Sequence, residues 1–182
     1  VRGIFTVRRA GLQWYYQEGA SWLFPDLWEA YLAPIPPAER GDLIAAYRKR
    51  LVGTDPVAQL EAAKAWSLWE GQTIRLLPDA ANAAKHAGDD YALAFARIEN
   101  HYFVHGGWLE EGQLIRDAHK LAGIPGVIVQ GRYDVATPAK TAWDLHRAWP
   151  EADFTLVDDA GHAFNEPGIV SALLAATDRF AK

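Results

Sequence analysis

The chain has 182 residues, a formal net charge of −5 and a hydrophobic share of one half. This length suits one domain, with or without a sizeable insertion, and the composition is sufficient for a buried core. The mild acidity argues against nucleic-acid binding, which requires a basic face. The chain contains no cysteine, which excludes disulfides, thiol chemistry and cysteine-bound metal. No apolar run approaches the roughly 20 residues that span a membrane and no signal peptide is visible, so we expect a cytoplasmic protein.

In chain order, the pattern predicts one strand, a long helical segment and a closing α/β alternation. Val1–Val7, with apolar residues at 4, 5 and 7, is predicted as the strand, and residues 1–19 comprise this strand and the entry into the helical segment. Residues 20–118 show helical spacing and no strand pattern. Over residues 119–182, predicted strands at 127–130 and 154–157 alternate with predicted helices at 139–149 and 167–180. Such alternation is typical of an α/β fold with a parallel sheet.

Asp134 and His162 each follow one of the two late strands. The carboxyl ends of parallel strands lie at one edge of a sheet, where open α/β sheets build their sites. An Asp that orients a His, with the His as base, forms two-thirds of a hydrolytic triad. Each residue also has a simpler interpretation, because an Asp after a strand is often only a helix N-cap and a Gly-His pair is often only a turn. The remaining histidines form no convincing metal set, and His86, His119 and His146 are predicted as surface helix residues.

No serine in the chain is a convincing nucleophile. None of the three serines, Ser21, Ser67 and Ser171, stands in the Gly-x-Ser-x-Gly setting of a nucleophile elbow. A His-Gly-Gly sequence at 105–107 lies in the predicted helical segment, so it is not expected to supply oxyanion N–H groups. The chain also lacks methionine and begins within a predicted strand. We therefore expect it to be the C-terminal part of a longer protein whose N-terminal part supplies the nucleophile.

Several long motifs together resemble proline iminopeptidase (prolyl aminopeptidase), a family of serine peptidases with the α/β-hydrolase fold. They run in order through the whole chain: Val1-Arg2-Gly3-Ile4-Phe5, Tyr16-Gln17-Glu18-Gly19-Ala20, Trp66-Ser67-Leu68-Trp69-Glu70-Gly71, Ala96-Arg97-Ile98-Glu99-Asn100-His101-Tyr102-Phe103, Gln130-Gly131-Arg132-Tyr133-Asp134 and Gly161-His162. The resemblance implies the C-terminal part of an α/β-hydrolase fold with a helical cap insertion at 20–118. It also implies removal of an N-terminal proline from peptides, without a metal or cofactor.

The same resemblance implies roles for individual residues. Asp134 and His162 match the acid and base of the triad. The cap carboxylates Glu70 and Glu99 match those that bind the free α-amino group of the substrate. Three aromatic residues resemble walls of the proline pocket: Phe5, Tyr15 and Phe103.

The surroundings of the two glutamates support amine binding independently of the resemblance. Glu70 follows an aromatic run, and Glu99 lies three residues before the aromatic pair Tyr102-Phe103. A carboxylate in apolar surroundings is costly unless a cation pairs with it. A prolyl iminium, a compact cation on an apolar ring, suits such a place. The competing interpretation is a structural salt bridge to Arg97 or Arg75.

Two other functions remain open at this point. Another capped α/β-hydrolase, such as an epoxide hydrolase or an esterase, would use the same Asp and His but has no need for two acids among aromatics. Alternatively the chain is an inactive fragment or a binding module.

Overall fold

A computed structural model describes residues 1–181 as a largely helical protein with a small parallel sheet. The elements within these residues are α1 (Arg9–Tyr16), α2 (Pro25–Leu32), α3 (Leu43–Leu51), α4 (Pro56–Thr73), α5 (Ala80–His86), α6 (Asp89–Val104), α7 (Gln113–Arg116), β1 (Gly126–Gly131), α8 (Ala139–Ala148), β2 (Ala152–Val157) and α9 (Pro167–Phe180). None of these helices is long and apolar enough to cross a membrane.

The chain divides into two compact units. The sheet unit comprises Val1–Gly11, Ile74–Leu77 and the chain from Leu109 onward. The helical unit comprises Leu12–Thr73 and Pro78–Trp108. The short segment Ile74–Leu77 therefore belongs to the sheet unit, although helices of the other unit precede and follow it.

The sheet unit is built on a parallel pair, β1 and β2, joined through α8. Their register runs from Gly126 opposite Ala152 to Gly131 opposite Val157. Because side chains alternate along a strand, the two faces of β1 enter different cores. Ile128 packs with residues of α8, and Val129 packs with Ile169 of α9. Both strands thus end at one edge, as the sequence predicts.

The strand predicted over Val1–Val7 is wrong for residues 4–7, because backbone pairing with β1 is confined to residues 1–3. The N-terminal amino group of Val1 donates to the Val127 carbonyl at 2.8 Å, and the Val129 backbone N–H donates to the Val1 carbonyl at 2.9 Å. Gly3 then adopts a left-handed backbone with φ +52°, which turns the chain away from β1. Ile4 is apolar because it is buried in the core beside Ile128, not because it belongs to a strand.

The helical unit has an aromatic core. Tyr31 of α2 stacks on Tyr47 of α3 with ring centroids 4.8 Å apart. Trp66 and Trp69 of α4 are both buried and contact Tyr31. Offset and tilted ring pairs of this kind stabilise a core beyond their buried area. Asp55 caps α4, since its Oδ1 accepts the Val57 backbone N–H at 2.9 Å.

The sequence pattern assigns no individual helix at α1 or at α5, although α5 lies within the segment predicted as helical, and the prediction that His86 lies on the surface is wrong. His86 ends α5 and is 5 % exposed. Its ring fills the space beside Gly71, where a Cβ would lie only 2.5 Å from the imidazole. Nδ1 of His86 lies 2.8 Å from the Ser67 carbonyl oxygen and 3.1 Å from its Oγ. This buried Ser–His contact joins α5 to α4 and is not a nucleophile–base pair open to substrate.

Candidate active site

Asp134 lies in the turn between β1 and α8, in a dense set of hydrogen bonds. Its Oδ1 accepts the Thr137 backbone N–H at 2.7 Å. Its Oδ2 accepts Gln130 Nε2 at 2.8 Å and Thr137 Oγ1 at 2.9 Å, and lies 2.9 Å from His162 Nδ1. The side chain is 1 % exposed. Asp134 therefore stabilises its own turn and also contacts the histidine. It is not the N-cap of α8, because that helix begins only at Ala139.

His162 lies beyond the end of β2, with its ring partly open to solvent. Its side chain is 22 % exposed. Because Nδ1 faces Asp134, Nε2 is the nitrogen placed to take a proton from a hydroxyl. Both backbone polar groups of His162 are hydrogen-bonded. Its N–H donates to the Ile74 carbonyl at 2.8 Å, and its carbonyl oxygen accepts a hydrogen bond from Arg2 Nη1.

Glu166 holds the loop that carries His162. Its Oε2 accepts the Gly161 backbone N–H at 2.6 Å, and its Oε1 accepts the Leu76 backbone N–H at 2.8 Å. The side chain is 6 % exposed and stands immediately before α9, where a helix N-terminus favours a carboxylate. The backbone of the His162 loop is therefore hydrogen-bonded to the segment Ile74–Leu77.

Gly131 allows the Asp134 loop and the His162 loop to meet. A Cβ at Gly131 would lie 2.0 Å from the Gly161 carbonyl oxygen, which no side chain tolerates. The Tyr133 backbone N–H donates to the Ala160 carbonyl at 3.0 Å across the same contact. The carboxylate and the imidazole are thus brought together by direct backbone packing between their loops.

The helical unit contains the second candidate site, which begins with Glu70 on α4. Glu70 is 7 % exposed, and Tyr16 OH donates to its Oε1. Tyr15 OH lies 3.4 Å from its Oε2 but only 2.6 Å from Thr73 Oγ1. Because the Thr73 hydroxyl donates its hydrogen to the Trp69 carbonyl, the Tyr15 hydrogen goes to Thr73 and the contact with Glu70 is weak.

Glu99 on α6 lies against the same aromatic residues. Trp66 Nε1 donates to its Oε2 at 2.7 Å, and Trp66 stacks on Tyr16 with ring centroids 4.5 Å apart. Burial raises the pKa of Glu99 to about 7, against the opposing effect of hydrogen bonds from Trp66 and Tyr16. Burial and the charges of Glu70 and Glu99 raise the pKa of Tyr16 well above its usual value. The phenol therefore remains a hydrogen-bond donor to carboxylates.

The structure groups the predicted residues by unit. Asp134 and His162 come together in the sheet unit, where Phe5 also lies and is 37 % exposed. In the helical unit, Tyr15 contacts Glu70, and Phe103 packs on Tyr16 with centroids 5.2 Å apart. Arg97, considered above as a partner of the acids, donates through Nε to the Leu51 carbonyl at 2.8 Å.

Sequence reasoning missed several residues that shape these sites: Gln130, Thr137, Tyr16, Trp66 and Glu166. The position of Thr137 three residues after Asp134 is a turn signal that could have been used. A glutamine inside an apolar strand is a second available signal. Among residues 1–181, no group of three or more His, Asp or Glu side chains could hold a metal ion.

An acid hydrogen-bonded to a base at the ends of neighbouring parallel strands is the arrangement that hydrolases of the α/β class use. Comparison with known proteins is consistent with this class. The chain is 57 % identical over 181 residues to a proline iminopeptidase of Xylella fastidiosa, covering 99 % of the chain and 58 % of that protein. It is 57 % identical over 182 residues to a proline iminopeptidase of Xanthomonas citri, again covering 58 % of the relative. A proline iminopeptidase of Arabidopsis thaliana is 47 % identical over 181 residues, which is 98 % of the chain and 48 % of that protein.

The chain is therefore a homologue of proline iminopeptidases, and it spans a little over half the length of the bacterial relatives. A comparison with protein-family models gives no match.

Proposed function

We propose that this chain supplies the acid, the base and the amine-binding carboxylates of a serine aminopeptidase that releases N-terminal proline from peptides. In this proposal the chain is the C-terminal part of an α/β-hydrolase fold, and residues 20–118 form its helical cap. The serine nucleophile and the oxyanion N–H groups come from the part of the protein outside this chain. The observation that carries the proposal is the cluster of Glu70 and Glu99 among aromatic rings.

The acid–base pair has a defined task in this reaction. His162 takes the proton of the serine hydroxyl through Nε2 and returns it to the leaving amine. Asp134 keeps the proton of the neutral imidazole on Nδ1 and stabilises the imidazolium that forms. The 2.9 Å contact between Oδ2 and Nδ1 supports this assignment.

The carboxylates have the second task, which is recognition of a free amino terminus. A prolyl iminium offers one positive charge on a small apolar ring. Glu70 and Glu99 would bind the charge, while rings such as Tyr15 and Phe103 would contact the pyrrolidine. Because an internal proline has no charge, this recognition makes the enzyme an exopeptidase. Phe5 is proposed as a further wall of the proline pocket.

The test compares variants of the full-length protein that includes this chain, with a prolyl arylamide as substrate. Glu70→Gln and Glu99→Gln should each raise KM by about tenfold or more, because a lost charge partner costs at least 1.4 kcal/mol in binding. The chain expressed alone should show no turnover. An unchanged KM in both variants would contradict the role of the carboxylates, and efficient hydrolysis of an epoxide or a simple ester instead would favour the alternative hydrolase classes.

A further inference from the structure

Gln130 is a polar side chain in the most buried stretch of β1, where it is 0 % exposed. Burying an amide is costly unless its polar atoms are hydrogen-bonded. Its Oε1 accepts the Ile4 backbone N–H at 3.1 Å. Its Nε2 donates to Asp134 Oδ2 at 2.8 Å and to the Thr137 carbonyl oxygen at 2.9 Å. Both ends of the amide are therefore engaged in the core of the sheet unit.

These partners fix the orientation of the Gln130 amide. The Ile4 N–H can only donate, whereas the Thr137 carbonyl and the Asp134 carboxylate can only accept. A flipped amide would place donor against donor and acceptor against acceptor. The amide therefore presents N–H groups to Asp134 in one defined direction.

We propose that Gln130 is a positioning residue for the acid–base pair, holding the Asp134 carboxylate in the rotation that directs Oδ2 to His162 Nδ1. The catalytic meaning of this proposal rests on the function proposed above. The competing donor is the Thr137 hydroxyl, which lies 2.9 Å from Asp134 Oδ2 and 3.2 Å from His162 Nδ1. Without Gln130, the donors from Thr137 alone orient the carboxylate, and the carboxylate can rotate away from the imidazole.

The other end of Gln130 fixes the chain segment that lies against the base. Ile4, whose N–H the amide accepts, follows Gly3. Gly3 packs on the imidazole so closely that a Cβ there would lie 3.0 Å from His162 Cε1. One neutral side chain thus connects the carboxylate to the backbone beside the imidazole ring. A cationic donor at this place would compete with the imidazolium for Asp134, which a glutamine does not.

The test uses Gln130→Leu in the full-length protein, with two readouts. The kcat for a prolyl arylamide should fall about 10- to 100-fold, the range expected for loss of a hydrogen bond to a charged group, while KM changes less than about twofold. Nitrogen-15 NMR of neutral His162 should show the proton on Nδ1 in the wild type and a mixture of tautomers in the variant. Gln113→Leu is the matched control, because Gln113 accepts the Glu110 backbone N–H at 3.0 Å and should leave both readouts unchanged.

A Gln130→Leu variant with wild-type kcat and a single Nδ1–H tautomer would overturn the proposal. If the wild type hydrolyses no prolyl substrate, the proposed function fails, and the tautomer measurement alone decides the role of Gln130. If Gln130→Leu does not fold, Gln130→Glu replaces it, because a protonated carboxyl can still donate to Asp134 whereas an ionised one repels it. The ratio of variant to wild-type kcat should then fall as the pH rises. A ratio that is independent of pH would contradict the proposed role of Gln130 in positioning Asp134.

Discussion

Asp134 is a buried carboxylate and Glu99 a half-buried one, and their surroundings differ. The oxygens of Asp134 meet an amide, a backbone N–H, a hydroxyl and an imidazole, at 2.7 to 2.9 Å. The donors that surround Glu99 are an indole and a phenol, and burial raises the pKa of Glu99 to about 7. The first arrangement suits a carboxylate that must keep one orientation. The second suits a carboxylate whose negative charge is neutralised by a cationic ligand.

This difference predicts that the two sites affect different kinetic constants. Asp134→Asn keeps the shape of the side chain but favours the wrong imidazole tautomer. We expect kcat of the full-length enzyme to fall about 10³- to 10⁴-fold with little change in KM. Steady-state kinetics with a prolyl arylamide would check this. A loss below tenfold would show that Asp134 does not orient a catalytic base.

A second prediction concerns the backbone contact that brings the acid and base loops together. Gly131→Ala should lower the free energy of unfolding by about 3 kcal/mol or more, because its Cβ would overlap the Gly161 carbonyl oxygen. Denaturant unfolding measures this directly. Gly11→Ala is the matched control, since nothing lies within 4 Å of that Cβ and alanine favours the helix by up to about 1 kcal/mol. Equal stability of the two variants would contradict the close packing of the loops.

The third prediction is a pH dependence that belongs to the helical unit alone. Glu99 is charged above its pKa of about 7 and becomes neutral as the pH falls through that value. Pyrrolidine, a competitive inhibitor that mimics the prolyl ring, stays cationic across this range. Because it should bind the ionised form of Glu99, its inhibition constant should rise about tenfold from pH 8 to pH 6. The inhibition constant of Glu99→Gln should not change with pH over the same interval. A pH-independent constant in the wild type would mean that Glu99 does not bind the amine.

Regular patterns in the sequence predicted the sheet unit well. The helix at Pro167–Phe180 agrees residue for residue, β1 is one residue longer at each end than predicted, and β2 begins two residues earlier but ends where predicted. The error at residues 4–7 arises because Ile4 is apolar for burial in a core, while the left-handed Gly3 has already ended the pairing. The helix α5 was missed because its alanine-rich sequence shows no apolar periodicity.

The candidate sites were predictable only in part. Positions after strands and the family resemblance indicate Asp134, His162, Glu70 and Glu99. The partners that orient them are set by tertiary contacts, such as the bond between Gln130 and Asp134 or the stacking of Trp66 on Tyr16. Such contacts join residues far apart in the chain or depend on exact side-chain geometry. Residue spacing in a single sequence does not contain that information.

Recognition of the free amine by Glu70 and Glu99 is tested by the kcat/KM of the full-length protein for a prolyl arylamide, compared with that for its N-acetylprolyl counterpart. Acetylation removes the positive charge and leaves the ring and the scissile bond in place. We expect a preference of about 100-fold or more for the free amine, because the acetylated substrate leaves Glu70 and Glu99 without their cation. Equal rates on the two substrates would contradict the account, because the carboxylates would then have no part in choosing the substrate.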